Sequence, residues 1–303
     1  TLSLHDALPI YFWAVSVADY RRFYRCLRAE VRTREVETAP ILAEADRKRL
    51  WDNTIGFLRR GQDELLRYGI APKRGVLMTG EPGNGKTTAC RWLAWQCRRH
   101  SLEWKNVTPE MFESARADRM VPALFTLESP GIVLFDDFDA AFCDKEYSTD
   151  RDKRATFLAE LDGVQQKTGV VYLFASNLTP ESIDPAMRRP GRIDVILGFP
   201  KPDAALRRRM ICERWHPDLQ AAVDIEVAAA QSDGWSFAEL EEARKQLVMR
   251  HLDTGSWDWP YVRESLGSVA VARRSRPIGF MPNLSDRHPT PTVCAEIAKS
   301  DSL

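Results

Sequence analysis

Short apolar runs recur through the middle of the chain, separated by longer stretches with helical spacing. The runs are rich in Val, Leu, Ile and Phe, and in several of them the apolar residues are consecutive. Strands buried on both faces have this pattern, which is typical of a parallel sheet covered by helices. The runs lie at 75–79, 102–107, 131–135, 170–175 and 194–199. We therefore predict an α/β fold with a five-stranded parallel sheet flanked by helices.

Around these runs, apolar residues recur at the three- and four-residue spacing of amphipathic helices. Residues 43–67 fit a helix that ends at the turn formed by 68–72, and residues 109–127 fit a helix with a break near Pro122. A further helix is predicted to stop at Gly163. The last helical patterns lie at 204–215, 223–231 and 236–251. They predict a small all-α unit after the sheet.

One glycine-rich segment separates the first apolar run from a helical pattern. Residues 80–87 read G-x-x-x-x-G-K-T, and the strand–loop–helix context is typical of a phosphate-binding P-loop, or Walker A motif. The glycines allow backbone N–H groups to face a phosphate, and the helix N-terminus adds positive potential. Lys86 is expected to reach the β- and γ-phosphates, and the Thr87 hydroxyl to bind Mg²⁺. The residues predicted to contact the nucleotide are Glu81, Pro82, Gly83, Asn84, Gly85, Lys86, Thr87 and Thr88.

Acidic and amide side chains follow the third and fourth runs. Asp136 and Asp137 end the third run, where a Walker B motif places its acids, and ligands of open α/β sheets bind at such strand ends. We expect Asp136 to hold Mg²⁺ through water and Asp137 to polarise the attacking water. Asp139 is an alternative acid whose spacing better fits an outer position. Asn177 could hydrogen-bond both a γ-phosphate and that water.

Two arginines stand close together after the fourth run. Arg189 and Arg192 are separated by Pro-Gly, on a turn that suits ordinary core packing poorly. Planar guanidinium groups offered from a rigid turn suit phosphate oxygens. We therefore predict that both arginines act on phosphate.

Taken together, residues about 43–251 resemble the AAA family of ATPases, the clade proper within the AAA+ superfamily. The segment 68–75 leads into the P-loop as in that family, Asn177 resembles its sensor 1, and Asp184–Asp194 is similar to its second region of homology. The phrases at 73–75 and 137–142 are most similar to the Bcs1-like branch.

The resemblance implies a Mg²⁺-dependent ATPase that works as a ring, usually a hexamer. Arg189 and Arg192 would then act in trans as arginine fingers on the nucleotide of a neighbouring subunit. The all-α unit would be a lid over the nucleotide. Hydrolysis would drive the remodelling or translocation of another macromolecule, which we expect to be a protein.

Three departures from the family pattern matter. Asp137 stands where most members have Glu, and its shorter side chain is expected to hold the water less well. Residues 111–114 lack the glycine of a threading pore loop, so substrate threading does not follow from the sequence. The lid sequence at 234–239 matches the family's Gly-x-Ser-Gly-Ala-Asp pattern imperfectly. The lid also offers no clear sensor-2 arginine.

Two other functions stay open. In the first, Asp137 leaves hydrolysis slow and ATP mainly gates a scaffold. In the second, the ATPase acts on nucleic acid; the balance of 43 basic and 43 acidic residues counts against this, because bulk positive charge is absent.

The remaining predictions concern the ends of the chain and its compartment. Residues 1–10 match a translation of a common sequencing adapter, so we expect an artefact there and a natural chain that begins upstream of Tyr11. The apolar residues 11–18 fit either an amphipathic helix or the end of a lost membrane helix. The six cysteines have no C-x-x-C spacing, which suits a reducing compartment; we expect a cytoplasmic domain, with membrane attachment left open.

These features divide the chain into an N-terminal helical lead-in, a nucleotide-binding domain, a lid and a tail. The predicted bounds are 11–50, 51–201, 202–252 and 253–303. The tail is polar and rich in proline towards its end, so we expect it to be partly disordered.

Overall fold

The computed structural model describes residues 38–137, 139, 151–163 and 169–274. The predictions made for residues 1–37 and for the end of the tail lie outside these described residues. In the segment 137–142, which follows the third strand, only Asp137 and Asp139 are among the described residues.

A parallel sheet forms the centre of the molecule and confirms the predicted α/β fold. Its five strands run in the order β2-β3-β4-β1-β5. The strands are β1 (Lys73–Thr79), β2 (Glu103–Val107), β3 (Gly131–Asp136), β4 (Val170–Ser176) and β5 (Val195–Gly198). Every residue of β4 is buried, as expected for a strand that has neighbours and helices on all sides.

Helices precede, connect and follow the strands. Before and within the sheet they are α1 (Glu44–Asp52), α2 (Ile55–Arg59), α3 (Gln62–Arg67), α4 (Lys86–Arg99), α5 (Pro109–Ala117), α6 (Val121–Phe125) and α7 (Arg151–Gly163). After β5 they are α8 (Ala204–Arg214), α9 (Pro217–Ala222), α10 (Ile225–Gln231), α11 (Phe237–Thr254) and α12 (Trp259–Arg274).

Two apolar clusters form the core, and alternate residues of the strands contribute to each. Leu134 and Leu173 belong to the cluster that contains α4 residues. Phe135 and Phe174 belong to the other, where their rings stack at 5.4 Å. Successive strand side chains point to opposite faces, so the two clusters cover the two faces of the sheet.

The predicted helices lie where the structure has helices, but the positions at which they begin, break and end differ. The single helix predicted over 43–67 is α1, α2 and α3, and the predicted break in 109–127 falls before Val121. Pro122 lies in the first turn of α6, where its missing N–H leaves no hydrogen bond unmade. Neither α9 nor α12 was predicted from the sequence.

Three tryptophans hold the helices after β5 together. The ring of Trp259 lies 6.3 Å from that of Trp215 and 6.0 Å from that of Trp235, and all three are buried. The indole N–H of Trp259 donates to the Gln231 side chain at 2.8 Å. Aromatic clusters of this kind give a small helical unit its own core.

The described residues divide into two units, and the second begins at Glu264 with the last part of α12. Within the described residues, no helix combines the length and the apolar composition that crossing a membrane requires.

Candidate functional site

The strand ends bring the predicted motifs to one edge of the sheet. Thr79 at the end of β1 pairs with Ser176 of β4, and Asp136 of β3 pairs with Ala175. The P-loop, the Walker B acids and Asn177 therefore emerge side by side. They line a cavity of about 780 Å³, a volume ordinary for a small-molecule site.

The P-loop forms part of the wall of this cavity, and its backbone conformation requires glycine at positions that include Gly83 and Gly85. Gly83 and Gly85 have φ of 84° and 95°, in the left-handed region. A Cβ on Gly83 would lie 2.9 Å from the Cβ of Ala238. The Gly83 carbonyl also accepts the Ala238 N–H at 3.0 Å, so the first turn of α11 docks directly on the loop.

Lys86 is almost fully buried below the P-loop. Its ammonium donates to the carbonyl oxygens of Gly80 and Glu81. Burial lowers the pKa of Lys86, and the nearby carboxylates of Asp139, Asp136 and Asp137 act in the opposite direction. A cation held by neutral carbonyl oxygens at a cavity wall suits an anionic ligand such as a phosphate chain.

The two Walker B acids stand in different environments. Burial, followed by the charge of Asp137, raises the pKa of Asp136. Asp137 is exposed and has φ of 57°, which is uncommon for a residue other than glycine and is typical of functional sites. Both side chains line the cavity.

The Asp139 carboxylate does not line the cavity. It accepts the backbone N–H of Asn177, at 3.1 and 3.2 Å for its two oxygens. Asp139 thus links the end of β3 to the end of β4, an arrangement in keeping with the predicted outer position.

The oxygen atoms offered at this edge fit a magnesium ion. Thr87 and Asp136 both line the cavity and provide a hydroxyl and a carboxylate. Over 38–137, 139, 151–163 and 169–274, no group of three or more His, Cys, Asp or Glu residues could hold a metal by itself. Mg²⁺ needs no such cage, since it usually binds through one or two carboxylates, waters and substrate phosphates.

Two of the predicted nucleotide contacts are not cavity-lining side chains. Asn84 is 1% exposed, and neither polar atom of its amide group has a hydrogen-bond partner among the described residues. The Glu81 carboxylate lies 3.4 Å from the ammonium of Lys201. The predicted side chains that do line the cavity are Pro82, Lys86, Thr87, Thr88, Asp136, Asp137 and Asn177, together with Gly83 and Gly85.

The arginine-bearing turn is fixed to strand β1 by hydrogen bonds. The Asp194 carboxylate accepts the backbone N–H groups of Gly75 at 2.8 Å and Gly191 at 2.9 Å. A Cβ on Gly75 would lie 1.6 Å from the Arg192 carbonyl oxygen, so glycine is required for this close approach.

The two arginines on this turn differ in their contacts. Arg192 is 9% exposed and donates to both oxygens of Asp162 and, at 2.7 Å, to the Ala186 carbonyl. Hydrogen bonding by Arg192 lowers the pKa of Asp162. Arg189 is exposed. Neither arginine lines the cavity described above.

The sequence predicted a lid over the nucleotide, but it did not identify which residues of the lid and of the segment before α1 line the cavity. Phe237, Glu241 and Arg244 of α11 line it, and their spacing of four and three residues was a signal that could have been read. Pro40 and Ile41 also line the cavity. No local pattern predicts the contribution of those two residues, because tertiary contacts with α8 bring them there.

Comparison with known proteins relates the sheet and its P-loop to a described family. Residues 76–201 match the family described as "ATPase family associated with various cellular activities (AAA)". Residues 76–201 are therefore similar to an AAA ATPase domain, as the sequence predicts. The closer placement in the Bcs1-like branch receives no specific support and stays a prediction.

Curated relatives share about a third of the aligned residues. The human "ATPase family gene 2 protein homolog A" is 34% identical over 203 residues, 63% of this chain and 22% of the relative. "AAA ATPase forming ring-shaped complexes" of Corynebacterium jeikeium is 32% identical over 211 residues, 65% of this chain and 40% of the relative. "Proteasome-activating nucleotidase" of Methanothermobacter thermautotrophicus is 35% identical over 189 residues, 58% of this chain and 45% of the relative. The chain thus spans less than half of the length of each.

Proposed function

We propose that this chain binds ATP with Mg²⁺ and hydrolyses it at a site completed by a neighbouring copy in a ring, so as to remodel or translocate a protein substrate. One observation carries the proposal: Lys86, Thr87, Asp136, Asp137 and Asn177 line a single cavity. Each has a side chain suited to one part of phosphoryl transfer to water.

The phosphates are bound at the P-loop end of the cavity. Backbone N–H groups of the loop and the N-terminus of α4 face them, and Lys86 supplies a full positive charge. Thr87 and Asp136 would hold Mg²⁺. When bound there, the ion would neutralise charge on the phosphate oxygens.

Hydrolysis needs a water held in line with the terminal phosphate. The Asp137 carboxylate accepts a proton or a hydrogen bond from that water, and the Asn177 amide orients it. Asn177 is held in place because its backbone N–H donates to Asp139. The left-handed backbone of Asp137 sets the direction in which its short side chain leaves β3.

The opposite end of the cavity suits a base. Pro40, Ile41 and Met210 line it with apolar atoms. Arg209 and Arg214 of α8 donate to the carbonyls of Leu42 at 3.1 Å and Ala39 at 2.8 Å, so helix α8 fixes the segment before α1. An adenine placed here would be enclosed between this segment and the lid.

The arginine turn supports the proposed ring. In a single chain, Arg189 and Arg192 are not part of the cavity wall, so we assign their action on the transferring phosphoryl group to the site of a neighbouring copy. We assign the direct contact to Arg189, which is exposed, and the support of the turn to Arg192, which Asp162 already binds. The relative from Corynebacterium jeikeium is described as forming ring-shaped complexes.

A protein substrate is favoured over nucleic acid by the neutral charge of the chain. Among the relatives, one is named a proteasome-activating nucleotidase and one a histone chaperone. Phe112, which stands near where threading members carry their pore loop, is buried in the core. We therefore do not propose that this residue contacts the substrate. The nucleotide-binding domain is placed in the cytoplasm, in keeping with its scattered cysteines.

Two measurements test the proposal: the binding of ATP in the presence of Mg²⁺, by calorimetry, and the release of phosphate. Lys86→Ala should weaken ATP binding by at least about tenfold, since a charge-assisted contact to phosphate is lost. Lys201→Ala removes a nearby surface lysine that pairs with Glu81 and should leave the affinity within about twofold. Equal affinity for wild type and Lys86→Ala would refute the P-loop assignment.

A further inference from the structure

Three side chains of α11 form a stripe along the wall of the cavity. Phe237, Glu241 and Arg244 are separated by four and three residues and so share one face of the helix. The two charged members contact each other: Arg244 Nε donates to both carboxylate oxygens of Glu241, each at 3.1 Å. None of the motifs described above assigns a task to this pair.

The pair lies between the two ends of the cavity. Helix α11 begins against the P-loop, where Ala238 donates to Gly83 at 3.0 Å. With a rise of about 1.5 Å per residue, Glu241 lies roughly 4.5 Å further along the helix axis and Arg244 roughly 9 Å. Helix α11 also packs against α8, which carries Met210 at the apolar end. In a nucleoside triphosphate, the sugar occupies this intermediate place between phosphates and base.

The chemistry of the pair suits hydroxyl groups better than phosphate. Hydrogen bonding to Glu241 raises the pKa of the Arg244 guanidinium, and the two charges neutralise each other. An ionised carboxylate only accepts hydrogen bonds and offers several lone pairs, so it can receive two neighbouring hydroxyl groups. The side chains are 34% and 33% exposed for Glu241 and Arg244, which leaves room for a ligand.

We propose that Glu241, oriented by Arg244, binds the 2′- and 3′-hydroxyls of the nucleotide and makes the lid selective for ribonucleotides. The inference rests on the proposed function, because it takes the cavity to be an ATP site. It adds a residue that determines specificity and that the phosphate-binding motifs do not contain.

The test compares the dissociation constants of ATP and 2′,3′-dideoxy-ATP, measured with Mg²⁺ by competition against a fluorescent nucleotide. Wild type should prefer ATP by about tenfold or more, as hydrogen bonds to a charged acceptor contribute. Glu241→Ala should reduce this preference to within about twofold, by weakening ATP and leaving the dideoxy nucleotide unchanged. Glu241→Gln keeps one acceptor oxygen and should give an intermediate preference, which secures the test should the alanine variant fold poorly.

Glu242→Ala is the matched control. Glu242 is the next residue of the same helix, is exposed and lies 3.9 Å from Lys245 without lining the cavity, so its loss should leave the preference unchanged. Equal binding of the two nucleotides by wild type would overturn the proposal, and so would equal weakening of both by Glu241→Ala. Failure of wild type to bind ATP would instead refute the proposed function.

Discussion

The carboxylate of Asp139 accepts the backbone N–H of Asn177, at 3.1 and 3.2 Å for its two oxygens. The contact joins the end of β3, which carries Asp136 and Asp137, to the end of β4, which carries Asn177. It therefore holds together the two groups that the proposed function assigns to one water molecule.

Removing this acceptor should slow hydrolysis more than it weakens binding. We expect Asp139→Ala to lower kcat by about tenfold, since a small misplacement of an orienting group is costly, while the dissociation constant of ATP stays within about threefold. Asp139→Asn also lacks the charge but keeps an acceptor oxygen, so it should recover part of kcat. Equal kcat values for the two variants would show that charge, and not the hydrogen bond to Asn177, is what matters.

Replacing Arg189 and replacing Arg192 should affect hydrolysis and stability differently. Arg189→Ala is expected to lower hydrolysis by about a thousandfold, as loss of an arginine finger does, without changing the melting temperature. Arg192→Ala breaks hydrogen bonds to Asp162 and Ala186, so it should lower the free energy of unfolding by about 2 kcal/mol as well as reducing hydrolysis.

The neighbouring exposed Arg188 provides the control for both arginines. Arg188→Ala should keep the rate and the melting temperature of wild type. If Arg189→Ala retained full hydrolysis, Arg192 would have to make the contact to phosphate, and its pairing with Asp162 would have to break in the ring.

Replacing Asp136 should stabilise the fold and abolish activity. Its pKa is raised, first by burial and then by Asp137, so the folded state disfavours the carboxylate. The resulting loss of folding stability is fully present at a pH above the raised pKa of Asp136. It disappears as the pH falls below the ordinary pKa range of a carboxyl group. Asp136→Asn should therefore raise the melting temperature at neutral pH by about 3 °C, with a smaller gain in acid, and remove Mg²⁺-dependent hydrolysis. A lower melting temperature at neutral pH would contradict this.

Replacing the second Walker B acid by a longer one distinguishes an active ATPase from a nucleotide-gated scaffold in which hydrolysis is slow. If Asp137 limits the rate because it is one methylene short, Asp137→Glu should raise kcat by about tenfold or more at unchanged ATP affinity. The left-handed backbone at this position sets where either carboxylate points. A kcat that stays the same or falls would show that the site is built for aspartate and that hydrolysis is not held back by its length.

Much of the fold and of the site could be predicted from local sequence. Consecutive apolar residues predicted β1, β3 and β4, and the glycine spacing predicted the loop around Lys86, because these features depend on burial and backbone conformation at the residues themselves. The positions of Pro40 and Met210 could not be predicted, since tertiary packing of α8 brings them to the cavity. The contrast between Arg189 and Arg192 depends on Asp162, which is distant in sequence.

The rate of ATP hydrolysis per subunit, measured across a wide range of protein concentration with Mg²⁺, tests the central claim most directly. A site that needs Arg189 of a neighbouring copy should give a rate per subunit that rises steeply as rings assemble and then saturates. The Arg189→Ala variant should stay low over the same range. A measurable rate that does not depend on protein concentration would show that one subunit hydrolyses ATP alone, and would contradict the shared site.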